Sequence, residues 1–431
     1  MTAEIAVYNK SAIALAADSA VTISDGSSSK IYNGAEKLFA LSKYQPLGIM
    51  LYGAGSLCSI PWELIIKQYR KSLGKESFQT LDAYAEDFWS YLSNAQRLVP
   101  KDLRYSFLDS SYNRAIQHVI TMVDGIFKRE IELDNSFQIT TDLTMQTFLR
   151  CSAEIIIELQ EADFFSGFDS HDLVEAEVYA SLFLERNLSS LFPDIDFPDA
   201  NISSFKRLLA LITCKDNQLG LITGVVFAGY GSEEYFPVVL AYNVHGFFGN
   251  KLRFTQNLEK SSAAGNSGMT AYAQEEEVFA FEYGANPRLL NIINEKFRTM
   301  LGDSLTEFEK IVGTLTNDND LKKRLVDEFT SFTEKNWQRN VNSVNDFIRV
   351  EHCDKVTQMI EFLPKDELAY MAESLVNMTA FKRKVSNDAE SVGGPIDVAI
   401  ISKGDGFIWV KRKHYFSKEL NSHYFNEFLR G

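Results

Sequence analysis

Cysteine is scarce in this sequence, and no two cysteines lie close together. The four are spread along the chain, at Cys58, Cys151, Cys214 and Cys353. Metal-binding and redox motifs need thiols a few residues apart, and small secreted domains that depend on disulfides are much richer in cysteine. The spacing therefore predicts reduced, buried thiols in a cytoplasmic protein, without a structural disulfide or a zinc site.

Long apolar runs and an excess of positive charge are also absent. No apolar segment approaches the roughly 20 residues of a membrane-spanning helix, and the N-terminus lacks the basic segment and apolar core of a secretory signal. Lys and Arg number 43 against 58 Asp and Glu, so the net charge is −15. Because such a chain repels a phosphate backbone, we do not expect a nucleic acid as partner. Because it lacks a long apolar segment, we do not expect a membrane as partner.

The 431 residues alternate between strand-like and helix-like stretches. Short runs rich in Val, Ile and Ala predict strands at residues 4–7, 12–17, 36–41, 48–52, 219–230, 236–242, 252–254, 396–402 and 407–411, with a further short one near 120–127. Apolar residues three and four apart predict helices from residue 60 and within 81–92, 143–159, 289–362 and 365–385. Residues 278–283 are too mixed to assign. This order favours an α+β or layered sheet architecture over a parallel βαβ repeat.

Thr2 directly follows the initiator methionine and is small enough to permit removal of that residue. Removal would leave a hydroxyl beside a free α-amine, whose pKa of about 7.7–8.0 leaves part of it unprotonated at neutral pH. The amine then accepts the hydroxyl proton, as in enzymes with an N-terminal threonine nucleophile. Threonine is also common after the initiator methionine simply because it permits removal of that residue, so the context of Thr2 decides between the two interpretations.

That context is a series of motifs in a fixed order along the chain. An apolar strand ends at Asp18-Ser19, sixteen residues after Thr2. The later motifs are Lys30-Ile31-Tyr32-Asn33-Gly34-Ala35-Glu36-Lys37-Leu38-Phe39, Phe227-Ala228-Gly229-Tyr230, Ala263-Ala264-Gly265-Asn266-Ser267-Gly268 and Asp388-Ala389-Glu390-Ser391-Val392-Gly393-Gly394.

Together these motifs resemble those of mature proteasome β-subunits and of the bacterial HslV peptidase, over roughly residues 2–72, 219–283 and 365–412. The resemblance implies a catalytic set of Thr2, Asp18, Lys37, Gly53, Ser267, Asp388 and Ser391, with Asn266 as the alternative to Ser267. It also implies substrate-binding positions at Leu51 and Ala20.

The implied roles follow from charge and backbone geometry. A buried Lys37 beside the hydroxyl favours its ionised form and an unprotonated amine, and Asp18 keeps that lysine charged and oriented. The Gly53 N–H donates to the developing oxyanion, an interaction that contributes on the order of 3 kcal/mol. By the resemblance, Asp388 and Ser391 bond near the terminal amine.

The fold implied by the resemblance is a four-layer αββα N-terminal-nucleophile hydrolase sandwich of two antiparallel sheets, with mainly helical insertions. Its core would comprise residues 1–74, 216–285 and 363–415. The insertions would be residues 75–215 and 286–362, followed by a helical C-terminal tail at 416–431.

The implied reaction is hydrolysis of an amide bond, without a metal or cofactor. The resemblance implies a peptide or unfolded polypeptide as substrate, assembly into a homo-oligomer, and room for an ATP-dependent unfoldase as partner. Two alternatives stay open. One is an amidase that acts on a small amide, and the other is a catalytically silent scaffold that binds partners.

Overall fold

The structure is a computed structural model, and it describes residues 3–24, 29–94, 98–193, 195–386, 392–417 and 419–421. The strands are β1 (Glu4–Tyr8), β2 (Ile13–Ala17), β3 (Ala20–Ser24), β4 (Ser29–Asn33), β5 (Leu38–Ala40), β6 (Leu47–Gly53), β7 (Ser56–Leu57), β8 (Ile60–Pro61), β9 (Thr223–Gly229), β10 (Val238–Phe248), β11 (Lys251–Ser262), β12 (Gly268–Ala271), β13 (Asp397–Ser402) and β14 (Gly406–Lys411).

The helices are α1 (Trp62–Leu73), α2 (Leu81–Asn94), α3 (Lys101–Leu133), α4 (Thr141–Glu161), α5 (Ser170–Leu191), α6 (Asp199–Cys214), α7 (Glu276–Tyr283), α8 (Pro287–Leu315), α9 (Asn319–Ile348), α10 (Asp354–Glu361) and α11 (Lys365–Val385). A π-helical turn, Arg349–Cys353, joins α9 to α10, and a 3-10 turn spans Glu419–Asn421. Within the described residues, no helix is long and apolar enough to cross a membrane.

The chain divides into two compact units. The first contains residues 1–35, 265–400 and 408–431, and the second contains residues 36–264 and 401–407. One five-stranded sheet has the order β12-β1-β2-β13-β14, and the other has the order β11-β10-β9-β6-β5. All four pairings of the second sheet are antiparallel, as are those of β1 with β2 and with β12.

The core of the first unit lies between its sheet and helix α11. Ala3, which directly precedes β1, and the alternate β1 residues Ile5 and Val7 are buried in this core. Helix α11 contributes side chains spaced three, four and seven residues apart, including Leu368, Ala372, Leu375 and Val376. Residues two apart on a strand share one face, and residues three or four apart on a helix share one face. This core forms where the apolar face of the strand packs against the apolar face of the helix.

The second unit has two cores. One face of its sheet packs against α1 and α2, through aromatic side chains such as Trp62, Phe88 and Trp89. Helices α3 to α6 surround a separate core that includes Phe148 and Phe205. The four helices α3 to α6 can form a core of their own because each helix has one apolar face to bury.

The α+β class with antiparallel sheets is confirmed. The four-layer sandwich and the division into a core with two insertions stay predictions. The strand expected near residues 120–127 is wrong, because that segment lies inside α3. Residues 276–283 form α7, and β3 pairs with β4 where no strands were predicted. Of the expected helical tail at 416–431, the structure describes only residues 416–417 and 419–421.

The second unit also buries a histidine next to a cation. His245, on β10, is 2% exposed, and its backbone carbonyl accepts a hydrogen bond from the guanidinium of the fully buried Arg253. Burial, with a smaller contribution from Arg253, lowers the pKa of His245 to about 3. The imidazole is therefore neutral in the folded protein at neutral pH.

This histidine predicts a loss of stability in acid. The unfolded chain protonates His245 below a pKa of about 6.5, whereas the folded chain does so only near 3. The free energy of unfolding should therefore fall as pH falls through this window, by at most about 1.4 kcal/mol per pH unit from this group. Urea unfolding between neutral pH and pH about 4.5 measures the slope, which His245→Gln should reduce and the exposed-site control His118→Gln should leave unchanged. Equal slopes in all three proteins would contradict the assignment.

Candidate functional site

The site in the first unit is organised around the carboxylate of Asp18, which is fully buried at the end of β2. Its Oδ1 accepts a hydrogen bond from the N–H of Ala3 at 3.1 Å. Its Oδ2 accepts from Ala20 N–H at 3.3 Å and from Gly393 N–H at 2.9 Å. One side chain therefore connects the start of β1, the start of β3 and a segment near the C-terminus.

The register between β1 and β2 brings Asp18 beside Ala3. Asn9 accepts a hydrogen bond from the N–H of Ser11 at 2.9 Å, which forms the Asx-type turn that joins the two strands. The strands then pair residue by residue as far as Glu4 opposite Ala17. Because the next residues along are Ala3 and Asp18, the two meet, and Asp18 N–H also donates to Ala3 O at 3.1 Å.

The glycine pair of the last motif docks on the same turn. Ser19 N–H donates to Gly393 O at 3.2 Å, and the Ser19 hydroxyl donates to Pro395 O. Gly394 has a φ of +77°, and a Cβ there would lie 2.8 Å from Asn33 Cβ. Only glycine meets both conditions, so a glycine is needed at position 394 for this close approach.

A cleft of about 540 Å³ opens beside Asp18 within the first unit. Its lining combines apolar residues and glycines with four polar side chains, namely an aspartate, two asparagines and a lysine. These residues are Asp18, Ile31, Asn33, Asn377, Ala380, Phe381, Lys384, Val392, Gly393, Gly394 and Ile396. The volume falls within the usual range of sites for small molecules and short peptide segments.

Lys37, Leu51 and Gly53 belong to the second unit. Lys37 is 7% exposed, and its carbonyl accepts a hydrogen bond from Leu51 N–H at 2.8 Å. Leu51 is buried in the core formed with α1 and α2. Gly53 is the exposed last residue of β6, with a φ of +79° that side-chain-bearing residues rarely adopt.

The structure does not bring Ser267 to Asp18. Gly268 pairs with Tyr8, and Ala271 pairs with Ile5, so Ser267 precedes the end of β12 that lies farthest from Ala3. At about 3.3 Å per residue, the length of β1 separates Ser267 from Ala3 by roughly 17 Å. Neither Ser267 nor its alternative Asn266 is thus supported as a neighbour of Thr2, because spacing in the sequence does not set the direction in which β12 pairs.

Three predicted site residues, Thr2, Asp388 and Ser391, lie outside the described residues. Among those described, no three His, Cys, Asp or Glu side chains come close enough to hold a metal ion. The cleft also adds residues that sequence reasoning missed, notably Asn33, Asn377 and Lys384. Asn33 lies inside a quoted motif and Lys384 lies four residues before another, whereas nothing in the sequence pattern singles out Asn377.

The Asp18 network predicts that Asp18→Asn destabilises the first unit. An asparagine has one acceptor oxygen and an amide that only donates, so at least one of the three backbone N–H groups would lose its acceptor. A buried unsatisfied donor costs about 1–3 kcal/mol. Urea unfolding measures this loss, and faster amide exchange at Ala3, Ala20 or Gly393 localises it. The exposed control Asp327→Asn should change neither quantity, and unchanged exchange in Asp18→Asn would contradict the role of the carboxylate.

The backbone of Gly53 predicts a penalty for Gly53→Ala. The added Cβ would lie 2.8 Å from the carbonyl oxygen of Ile222, and the positive φ adds strain. Together these effects should lower the free energy of unfolding by roughly 1–3 kcal/mol. Gly55→Ala is the matched control two residues away, because a Cβ there meets nothing within 4 Å. Equal unfolding curves for the two variants would show that the strain is absent.

No protein-family model matches the chain, and no curated protein matches it. An Anbu (ancestral beta-subunit) structure from Yersinia bercovieri is 10% identical over 99% of this chain and 95% of that chain, with a TM-score of 0.26. The Anbu (Gly-1) mutant from Hyphomicrobium sp. strain MC1 is 9% identical over 100% of this chain and 95% of that chain, with a TM-score of 0.29.

The expected membership of the proteasome β-subunit and HslV family is therefore wrong. The similar solved structures are Anbu proteins, which are proteasome-like but form a distinct family. Their TM-scores are also too low for the likeness to carry an argument about this chain.

Proposed function

We propose that this protein is a threonine-type N-terminal-nucleophile hydrolase that cleaves peptide or other amide bonds, with Thr2 as the nucleophile once Met1 is removed. The observation that carries the proposal is that the buried Asp18 carboxylate accepts hydrogen bonds from Ala3 N–H and Gly393 N–H. One bond fixes the residue directly after Thr2, and the other fixes the segment directly after Asp388 and Ser391.

This arrangement suits a nucleophile at a chain terminus. A terminal residue is normally poorly ordered unless its neighbours are tied down, and catalysis needs the reacting atoms held in a productive geometry. Asp18 and Ala3 exchange two hydrogen bonds, which supports a fixed start for β1. Asp18 is therefore proposed as a positioning residue.

The proposed reaction has two steps. Thr2 Oγ1 attacks the carbonyl carbon of the substrate while its proton passes to the α-amine of Thr2. The amide C–N bond then breaks, the amine product leaves with that proton, and an ester joins the acyl group to Thr2. Water, deprotonated by the same amine, attacks the ester, releases the acid and restores the hydroxyl.

The other proposed roles have less structural support. Lys37 as the nearby cation and Gly53 N–H as the oxyanion donor enter from their sequence motifs alone, as do Asp388 and Ser391. Ser267 is left out because of its position along β12. Assembly into a homo-oligomer, an unfoldase partner and a cytoplasmic location remain predictions from the sequence.

The lining of the cleft beside Asp18 suits a substrate that has both apolar side chains and a polar backbone. Ile31, Ala380 and Phe381 offer apolar surface, while Asn33 and Asn377 offer amide groups that donate and accept. A peptide segment presents the same mixture of apolar side chains and polar backbone. We therefore propose peptides as the substrate class.

The test is the intact mass of the purified protein before and after a peptide epoxyketone, an electrophile that needs a free α-amine beside a hydroxyl. We expect loss of Met1 and one adduct per chain in the wild-type protein. Thr2→Ser should keep the adduct and Thr2→Ala should abolish it, while the exposed-threonine control Thr299→Ala should react like the wild type.

Two results would contradict the proposal. Retention of Met1 would leave the amine blocked, and removal of Met1 without an adduct would show that the hydroxyl is not activated. Either result would favour the scaffold alternative. Adduct formation together with turnover of a small amide but not of peptides would keep Thr2 as nucleophile and change the substrate class.

A further inference from the structure

Helices α8 and α9 form a long hairpin that buries little of its own apolar surface. The rings of Phe308 and Phe329 stack at 4.2 Å between centroids and hold the two helices together. Along the 29 residues of α8 only Val312 is buried, and the 30 residues of α9 contain no buried side chain. Helices of this length in water normally depend on packing of an apolar face.

An apolar groove of about 520 Å³ runs along the hairpin between the two helices. Ile293, Phe297 and Met300 line it from α8, and Phe332, Val341 and Val344 line it from α9. Ile293, Phe297 and Met300 on α8 are spaced four and three residues apart, and so are Trp337, Val341 and Val344 on α9. This spacing is the pattern of a seam in a helical bundle. A groove of this kind between two helices matches one half of the core of a four-helix bundle.

The exposed apolar area is large enough for a stable interface. Of the residues that line the groove, Ile293, Phe297, Met300, Phe332 and Val344 are between 41% and 63% exposed. A fully buried aromatic side chain covers roughly 150–250 Å², so these five large side chains, each about half exposed, present on the order of 500 Å² of apolar surface. A standard interface buries about 800 Å² per partner, of which somewhat more than half is apolar.

The polar groups of the groove favour a second copy as its occupant. No charged residue lines it, and its polar side chains are amides and a hydroxyl, including Asn294, Asn340 and Asn345. An amide both donates and accepts hydrogen bonds, so the same residues on two copies satisfy one another. A strongly basic or acidic partner would find no opposite charge there.

The charge of the chain points the same way. Residues 287–348 carry nine Lys and Arg against ten Asp and Glu, a net charge of −1, whereas the whole chain carries −15. Two copies repel each other over most of their surface. The nearly neutral hairpin is the region where they approach at the smallest electrostatic cost.

We propose that two copies of this chain associate through the α8–α9 hairpin, each filling the groove of the other about a twofold axis to form a four-helix bundle. A twofold interface uses the same surface on both subunits, so the single groove is sufficient. Phe297 and Phe332 form the centre of the contact. The association does not depend on the proposed hydrolase activity.

The test is sedimentation equilibrium of the full-length protein over a wide range of concentration. The wild-type protein should have twice the mass of one chain, or an even multiple of it. Phe297→Glu and Phe332→Glu should each raise the dissociation constant by roughly tenfold or more, because each places a charge at the centre of a desolvated contact. Phe332→Leu should keep most of the association.

Leu315→Glu is the matched control, since this residue is 78% exposed on α8 but does not line the groove. Circular dichroism checks that each variant keeps its helices. If a phenylalanine variant unfolds, Asn340→Asp adds a charge without changing side-chain shape and should weaken association in the same way. A monomeric wild type, or an assembly that the groove variants weaken no more than Leu315→Glu, would overturn the proposal.

Discussion

The geometry of the candidate site depends on one buried carboxylate. Asp18 is fully buried, and it accepts hydrogen bonds from three backbone N–H groups that belong to three separate segments. A carboxylate taken out of water is stable only when such donors replace its hydration. The cost of burying this charge thus constrains where the start of β1, the start of β3 and the Gly393 segment lie within the first unit.

The neighbouring cleft follows from the same constraint. Docking of Gly393 and Gly394 brings the backbone against Asn33, and α11 supplies Asn377, Phe381 and Lys384 to the same cavity. Residues from β4, from α11 and from the Gly393 segment therefore line the cleft beside one carboxylate.

The helical regions contribute in a different way. Helices α3 to α6 bury an aromatic core of their own, whereas α8 and α9 leave theirs largely open. The exposed groove lies on the part of an acidic chain that is nearly neutral. Apolar exposure and local neutrality together indicate a contact surface, and they do so independently of the chemistry at Asp18.

Local pattern alone predicted much of the secondary structure. Strand periodicity indicated β1, β2, β6 and β13, and helical periodicity indicated α11 and the α8–α9 region, because each pattern depends on residues a few positions apart. The sequence also singled out Asp18 and the Gly393-Gly394 pair, although through a family resemblance that the comparisons overturned. Only the tertiary structure decided the direction in which β12 pairs, which separates Ser267 from Ala3, and the packing that gives Asn377 a place in the cleft. It also decided that α9 stays exposed, since pairing register and burial depend on contacts between residues far apart in the chain, on which local spacing carries no information.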